Sequence, residues 1–182
     1  MTSACNTTLK MPIQAAYYIV GFSDGEGSFN ISFRKRDDYW IGWKITPVFN
    51  ISQKEKVPLT FIKKHLKCGQ IRYRKDGVWV FEVTTKSALI NQIIPVFKKH
   101  PPISNWKKQA LKNMKKIIEI LHDCKNRPNL DELNKILLLR DAVEGAKPSS
   151  SRVFDNAEIL NRFLEFKKLR DAKKAGAPAP LL

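Results

Sequence analysis

The chain has 182 residues, with 33 Lys and Arg against 17 Asp and Glu, and a formal net charge of +16. This length suits one domain with a hydrophobic core and is too short for two domains of ordinary size. No apolar run approaches the roughly 18 residues of a membrane span, and residues 1–12 lack the features of a secretory signal. A protein with so high a positive net charge attracts polyanions. Nucleic acid is therefore the first candidate partner, and an anionic membrane surface is the second.

The organisation expected is an unstructured lead over residues 1–12, one domain over 13–170 and a frayed tail over 171–182. Apolar periodicity, glycines, prolines and capping residues set the elements within the domain. In chain order they are a helix over 14–23, strands over 28–34 and 43–51, a helix over 54–66, strands over 70–74 and 78–83, and helices over 87–97, 106–122, 129–143 and 155–170.

Local turn, proline and capping signals refine these elements. Gly25 and Gly27 are expected to end the first helix, because glycine tolerates a left-handed turn. The pair Asp37-Asp38 indicates the first hairpin turn, and Pro47 argues for an edge or irregular position in the second strand. The last helices have Ser104 or Asn105, Asn129 or Asp131, and Asp155 as candidate caps.

The first strand alternates strictly between apolar and polar side chains. Phe29, Ile31 and Phe33 would face one side, and the serines, asparagine and arginine between them would face the other. The element order therefore predicts an α+β fold: an αββαββα core with an antiparallel, saddle-shaped sheet, helices on one face and a polar, basic opposite face, followed by additional C-terminal helices. The buried face of the strand over 78–83 is not decided by its sequence.

The segment Asp24-Gly-Glu26 places two carboxylates where the first helix ends. The helix dipole is negative there, so Glu26 calls for a positive partner, and a divalent cation held by the carboxylate and free helix carbonyls is a natural one. Taken alone, the segment is a weak signal and fits an acidic turn that ends a helix better than a metal site. Its context favours a site, because residues 28–80 contain 12 Lys and Arg against 4 Asp and Glu.

Residues 18–27, Tyr-Ile-Val-Gly-Phe-Ser-Asp-Gly-Glu-Gly, resemble the signature of the LAGLIDADG homing endonucleases. The segments Phe49-Asn-Ile-Ser-Gln-Lys54 and Pro102-Ile-Ser-Asn-Trp-Lys-Lys-Gln-Ala110 are similar to later parts of the family pattern, and the resemblance covers residues 14–123, more loosely to 168. It implies an αββαββα fold in which Glu26 is the metal-binding acid, the Gly25 carbonyl joins it and Asp24 is a supporting acid.

The resemblance also implies a polar residue near the metal and a basic residue beside it. Gln53 matches the first and would order water. Trp106 stands where the family often has lysine, so Lys107 or Lys108 is expected to take that catalytic role; the alternatives are a core anchor for Trp106 and a solvated helix face for the lysines.

A single copy of the motif supplies a single acid, and cutting both strands of a duplex needs two, so a two-fold homodimer is expected. Gly21 would permit close packing of two motif helices, with Tyr18 and Phe22 beside it, although Val20 stands where the family has a small residue. The activity implied is site-specific cutting of both strands of a long, near-palindromic DNA by an intron-encoded enzyme. Its cofactor would be Mg²⁺ or another divalent cation such as Mn²⁺, with Ca²⁺ binding without supporting cleavage.

Double-stranded DNA would lie on the polar face of the sheet, in the major groove. The expected DNA contacts are Ser28, Asn30, Ser32, Arg34, Arg36, Lys44, Thr46, Asn50, Gln70, Arg72, Arg74, Lys147, Ser150 and Arg152. For the last three, a plain linker over 147–152 is an equally good interpretation.

Two other classes of function stay open at this point. A maturase-like RNA-splicing factor or a repressor could keep the scaffold without catalysis, but a pure binder has no need of an acid that repels phosphate. A basic protein of the membrane surface is disfavoured, because no basic amphipathic helix with exposed aromatic residues is present. Cys5, Cys68 and Cys124 form neither a CxxC pair nor a disulfide framework, which predicts a reducing compartment, either a prokaryotic cytoplasm or an organelle matrix.

Overall fold

A four-stranded antiparallel sheet carries helices packed against one of its faces. The structure is a computed structural model and describes residues 11–143 and 153–174. The elements are α1 (Ile13–Glu26), β1 (Gly27–Lys35), β2 (Trp43–Gln53), α2 (Lys56–Leu66), β3 (Gln70–Tyr73), β4 (Trp79–Val83), α3 (Lys86–Ala88), a π-helical segment (Leu89–Ile93), α4 (Ile94–Lys99), α5 (Asn105–Asp123), α6 (Leu130–Val143) and α7 (Asn156–Lys174). The predicted α+β order is confirmed.

The strands lie in the order β1-β2-β4-β3. Phe29, Phe49, Phe81 and Phe97 form an aromatic cluster between the sheet and α4, with Phe29 stacked on Phe49 at a centroid distance of 5.1 Å. These side chains are buried because strand alternation turns every second residue toward the helices. The predicted apolar face of β1 is therefore the core face.

The segment of β2 around Pro47 has β1 on one side only. Residues 43–48 pair with β1, whereas β4 pairs with β2 only from Phe49 to Gln53. Proline has no N–H to donate and so fits a strand where one side is unpaired. The predicted edge position of Pro47 is confirmed.

The predicted end of α1 was wrong in its mechanism. The helix runs through Gly25 to Glu26, and Gly27 is extended, with φ −83° and ψ 158°. No left-handed turn is needed, because β1 begins at once. Gly27 is required for a different reason, since a Cβ atom there would lie 2.6 Å from the carbonyl oxygen of Ser23.

The C-terminal helices pack onto the far end of the β1–β2 hairpin. The buried Trp43 indole donates a hydrogen bond to the Ile159 carbonyl at 3.1 Å and contacts the Phe154 ring. Asp155 caps α7 through the Glu158 N–H, and Asn129 with Glu132 forms a reciprocal cap before α6. The helix α7 continues to Lys174, four residues beyond its predicted end at residue 170, and Met11, in the predicted lead, packs half-buried against the core.

Candidate active site and nucleic-acid interface

Glu26 lies at the junction of α1 and β1, and its side chain is exposed. The junction is fixed from both sides: the Gly27 N–H donates to the Ser23 carbonyl, and Gly27 pairs with Ile51 of the central sheet. The carbonyls of the last helical turn, including that of Gly25, have no N–H partner within the helix. One exposed carboxylate and several free carbonyl oxygens therefore gather at this helix end.

Asp24, two residues earlier, holds the start of α5. Its Oδ2 accepts the N–H groups of Ile103 at 2.9 Å and Ser104 at 3.1 Å, and its Oδ1 accepts the Ser104 hydroxyl. Partial burial alone would raise the pKa of Asp24, but the hydrogen bonds from Ser104 and Ile103 and the charge of Lys107 outweigh it and lower the pKa below its ordinary value. Asp24 thus lies at the N-terminal end of α5, where the helix dipole favours a negative charge.

The structure separates the two candidate lysines. Lys107 is fully buried, and its Nζ donates to the Gly27 carbonyl, whereas Lys108 is exposed. Burial lowers the pKa of the Lys107 ammonium, and the charges of Asp24 and Glu26 oppose that shift only in part. A solvated helix face is therefore wrong for Lys107 and right for Lys108.

Trp106 is not a core anchor, since 55% of its surface is exposed. Its ring lies beside the Lys107 ammonium, with Nζ 4.2 Å from the ring centroid. A cation over an aromatic face is attracted to it, so Trp106 helps to orient Lys107. The sequence signal for this arrangement was weak, because Lys107 and Gly27 lie 80 positions apart.

Gln53 is the last residue of β2, at the same end of the sheet as Glu26. The register pairs Gly27 with Ile51, so Gln53 lies two residues beyond that pair. Its Oε1 accepts the backbone N–H of Lys54 at 2.9 Å, which fixes the amide orientation. The side chain is half-buried and close in sequence to the solvent-exposed end of the strand.

The donor atoms at this junction suit a hard divalent cation, which prefers carboxylate and carbonyl oxygens. Within residues 11–143 and 153–174, however, three or more His, Cys, Asp or Glu side chains nowhere gather into a metal cluster. Both Asp24 oxygens already accept hydrogen bonds from Ile103 and Ser104, which lead into α5, so Glu26 supplies the one uncommitted carboxylate of the pair. One copy of the chain thus presents a single free carboxylate beside the carbonyls of this helix end.

The outer face of α1 is apolar and uncovered. Tyr17 and Tyr18 are 62% and 42% exposed, and the Tyr18 ring stacks on Phe22 at 5.6 Å and meets Phe61 of α2 edge-on at 5.1 Å. A Cβ atom added to Gly21 would find nothing within 4 Å. The predicted interface residues Tyr18, Gly21 and Phe22 thus form one open surface beside Glu26.

The strand register brings most of the predicted DNA contacts onto one face of the sheet. Directly opposed residues of antiparallel strands point to the same side. Between β1 and β2, the register pairs Ser28 with Asn50, Ser32 with Thr46, and Arg34 with Lys44. Glu82 of β4 pairs with Asn50 on one side and with Gln70 on the other. Asn30 and Arg72 lie opposite Val48 and Val80. The nine predicted contacts among them are half-buried or exposed, opposite the helix-covered core face, whereas Val48 and Val80 are buried.

Arg36 and Arg74 lie just beyond the ends of β1 and β3, and Lys147, Ser150 and Arg152 lie outside the described residues. Three of the predicted arginines are paired with carboxylates on this surface. Arg36 grips Asp38 through two 2.7 Å contacts, Arg74 meets Asp76 at 2.5 Å, and Arg72 meets Glu82 at 3.3 Å.

Sequence reasoning missed Glu82. The two possible faces of β4 could not be distinguished by pattern, because Val80, Phe81 and Val83 are all buried. The register puts Glu82 between Asn50 and Gln70, in the middle of the polar face. Ser104, one of the two predicted caps, is the N-cap residue of α5, but its hydroxyl donates to Asp24 and makes no capping bond within its own helix.

In the described ranges, no helix has both the length and the apolar character needed to cross a membrane.

Comparison with known proteins places this geometry in a family. Residues 19–118 match the family model described as LAGLIDADG endonuclease. The chain is 24% identical over 156 residues to DNA endonuclease I-CeuI of Chlamydomonas moewusii, covering 82% of this chain and 72% of that protein. It is 35% identical over 124 residues to probable intron-encoded endonuclease 2 of Neurospora crassa, covering 66% of this chain but 27% of that longer protein.

Solved structures share the fold. The archaeal intron-encoded homing endonuclease I-Vdi141I, complexed with DNA, superposes with a TM-score of 0.73 at 24% identity, covering 84% of this chain and 96% of that one. The group I intron-encoded homing endonuclease I-CeuI, complexed with DNA, gives a TM-score of 0.72 at 24% identity, covering 85% and 77%. The fold described above is thus shared with both proteins.

Proposed function

The chain belongs to the LAGLIDADG endonuclease family, and we propose that it cuts both strands of a specific duplex DNA as a metal-dependent homodimer. The main support for this proposal is the arrangement of side chains at the junction of α1 and β1. There an exposed carboxylate, Glu26, lies beside a buried cation, Lys107, and between an open apolar helix face and a polar sheet face. The names of the intron-encoded relatives support an intron-encoded origin.

Glu26 and the Gly25 carbonyl would hold the cation. Their oxygen atoms suit Mg²⁺ or Mn²⁺, and Ca²⁺ would bind without supporting cleavage. Such a cation lowers the pKa of a water and stabilises negative charge on a phosphodiester. Asp24 remains with α5, where it fixes the distance between the helix end and Lys107.

The remaining chemistry falls to the chain's own side chains. Lys107, held by Gly27 and Trp106, would stabilise the negative charge that develops on the scissile phosphate. Gln53, with its Oε1 fixed by Lys54, would present its amide N–H groups to a water or phosphate oxygen at the same sheet end. The buried setting of Lys107 keeps its charge from being screened by solvent.

A second copy would complete the site. Packing two α1 helices through Gly21, Tyr18 and Phe22 would bury the open surface and bring two Glu26 carboxylates near one axis. The paired carboxylates would repel each other until a cation lies between them. The two polar sheet faces would then lie on the flanking major grooves of one duplex.

The wild type, Glu26→Gln and the control Glu165→Gln, which changes an exposed glutamate of α7, should be incubated with a library of duplex targets and Mg²⁺. We expect the wild type and the control to cut the same targets. We expect Glu26→Gln to bind these targets without cutting them. Duplexes left uncut by the wild type, together with binding of a structured RNA, would overturn the nuclease and favour a maturase-like splicing factor.

The thiols fit a reducing compartment, the intracellular setting we propose. Cys68 and Cys124 are free among the described residues, and burial raises the pKa of the Cys68 thiol to about 11.

A further inference from the structure

A basic depression lies at the end of the β1–β2 hairpin that is remote from Glu26. The β1–β2 connection, the connection between α5 and α6, and the last turns of α7 enclose a space of about 570 Å³. We call it the distal pocket and define it by Trp40, Lys125, Arg127 and Arg170. None of these four residues belongs to the proposed catalytic junction or to the polar face of the sheet.

The charge of the distal pocket is strongly positive. Two aspartates line it, but Arg36 holds Asp38 at 2.7 Å and Arg162 holds Asp37. Lys125, Arg127 and Arg170 contact no carboxylate in the parts of the chain that the structure describes. Three uncompensated cations thus face one depression, an arrangement that attracts an anion.

Trp40 organises two of these cations. The Arg170 guanidinium lies 3.8 Å from the Trp40 ring centroid and the Arg127 guanidinium 5.4 Å from it. The Arg170 Nη1 also donates to the Trp40 carbonyl at 3.1 Å. Stacking uses the guanidinium face and leaves N–H donors at its edge, the geometry that suits a phosphate.

The α5–α6 connection begins with a common type of helix end. Lys125 and Asn126 follow the C-cap of α5 with φ of 50° and 60°, and the Lys125 N–H donates to the His122 carbonyl at 3.0 Å. Left-handed residues in this position close many helices and set the direction in which the chain leaves. Here the Asn126 N–H donates to the Leu121 carbonyl at 2.8 Å and its side chain accepts from Lys86, so Lys125 and Arg127 flank a fixed point.

A groove connects the distal pocket to the polar face of the sheet. This groove, about 240 Å³ in volume, shares Tyr39 and Asn126 with the pocket and is also lined by Lys44, Thr46 and Lys86. It follows the segment of β2 that has no β4 partner. Lys44 and Thr46 belong to the polar face, so the groove links that face to the pocket, with the two cations Lys44 and Lys86 along it.

We propose that the distal pocket binds backbone phosphates of the DNA duplex that flanks the segment read by the sheet. The inference rests on the proposed function and extends it to a second, sequence-independent contact. The nine residues of β1 separate the pocket from Glu26 by roughly 30 Å, the length of about nine base pairs. The continuity with the polar face favours duplex DNA over a separate RNA as the ligand.

The test uses the paired variant Lys125→Gln/Arg127→Gln, whose two side chains are exposed and do not hold α7. Its matched control is Lys167→Gln/Lys168→Gln, which removes the same charge from exposed positions of α7 outside the pocket. The probes are two duplexes around a target recovered from the library, bound in Ca²⁺. One ends roughly nine base pairs from the centre on each side, and the other continues for about ten more.

We expect the wild type and control to bind the long duplex more tightly than the short one, and the paired variant to lose that gain. For the long duplex, its slope of log affinity against log salt should be shallower by about 0.9 for each phosphate that the variant no longer neutralises. Equal weakening in variant and control, or an unchanged long-duplex gain, would overturn the pocket as a phosphate site. A loss confined to a structured RNA would also overturn it, in favour of RNA.

If the wild type binds neither duplex, the proposed nuclease function is contradicted, and so is the proposal that the distal pocket binds DNA. Binding and cutting by the wild type, with no effect of the paired variant on the long-duplex gain, would remove the pocket proposal alone. Thermal melting of both paired variants checks that the fold is retained.

Discussion

A fully buried lysine beside two carboxylates is the most informative single residue of this chain. Lys107 donates to the Gly27 carbonyl and faces Asp24 and Glu26. A buried cation is costly unless it has partners, and here its partners are the backbone and acids of the junction itself. Its position therefore follows from the same contacts that fix Glu26 at the end of α1.

Replacing Lys107 with methionine tests this role. Methionine keeps an unbranched stem of similar size and removes the charge, so we expect the fold and DNA binding to persist. Cleavage should fall by about 10²–10³-fold, the usual cost of losing one donor to a charged transition state. Cleavage rate at saturating DNA is the measurement.

The matched control is Lys108→Met, one position further along α5, where the side chain is exposed. It should cut at a rate close to that of the wild type. The opposite ranking, with Lys108→Met impaired and Lys107→Met active, would transfer the basic role to Lys108.

Glu26 and Lys107 differ in how far the sequence could predict them. Glu26 follows from a local pattern, since an acid after a short apolar helix and before an alternating strand is visible within about ten residues. The partner of Lys107 lies 80 positions away, and that contact depends on how α5 crosses the sheet. Local periodicity cannot supply such a contact, which is why the sequence alone leaves Lys107 and Lys108 as equal candidates.

Among the helices and strands, α1 has two apolar faces on opposite sides. Its inner face buries Ala15, Ile19 and Val20 in the core, while its outer face leaves Tyr17, Tyr18 and Gly21 open. A helix that is apolar on both faces needs a second partner. The Val20 side chain is only 5% exposed and lies in the core. Having valine instead of a small residue at this position therefore does not change the outer surface of α1.

The variant Gly21→Leu tests the outer face of α1. Among the described residues, nothing lies within 4 Å of a Cβ atom at position 21, and leucine is a better helix former than glycine, which is roughly 0.8–1 kcal/mol less favourable than alanine. The helical content should therefore stay unchanged, whereas close packing of two helices should be blocked. Gel filtration at micromolar concentration should show a dimer for the wild type and a monomer for the variant.

The control is Ala157→Leu, at an exposed position in the first turn of α7. It should elute as the wild type does. A dimer that survives Gly21→Leu would place the interface elsewhere.

The strand elements were predictable because alternation is a local property, and β1 has it without exception from Phe29 to Phe33. The face of β4 was not, since Val80 is buried on one side and Phe81 and Val83 on the other. Only pairing with both β2 and β3 decides it. Glu82, whose carboxylate holds Arg72 on the polar face, depends on that pairing.

For the whole molecule, the distribution of charge fits a bound polyanion, and the single free carboxylate at the junction of α1 and β1 fits a two-fold homodimer. The net charge of +16 attracts a polyanion, and the polar face, the groove and the distal pocket give it a continuous path. One copy presents one uncommitted carboxylate at the junction of α1 and β1. Two copies related by a two-fold axis would present two, one for each strand of a duplex.

In the proposed homodimer, the two copies of Glu26 serve the two strands of one duplex. Sequencing both ends of every product from the library, after incubation with Mg²⁺, shows whether they do. We predict one cut on each strand, at positions related by the two-fold axis of a near-palindromic site, and none with Glu26→Gln. Cuts on one strand only, cuts without that symmetry, or the same cuts with Glu26→Gln would contradict it.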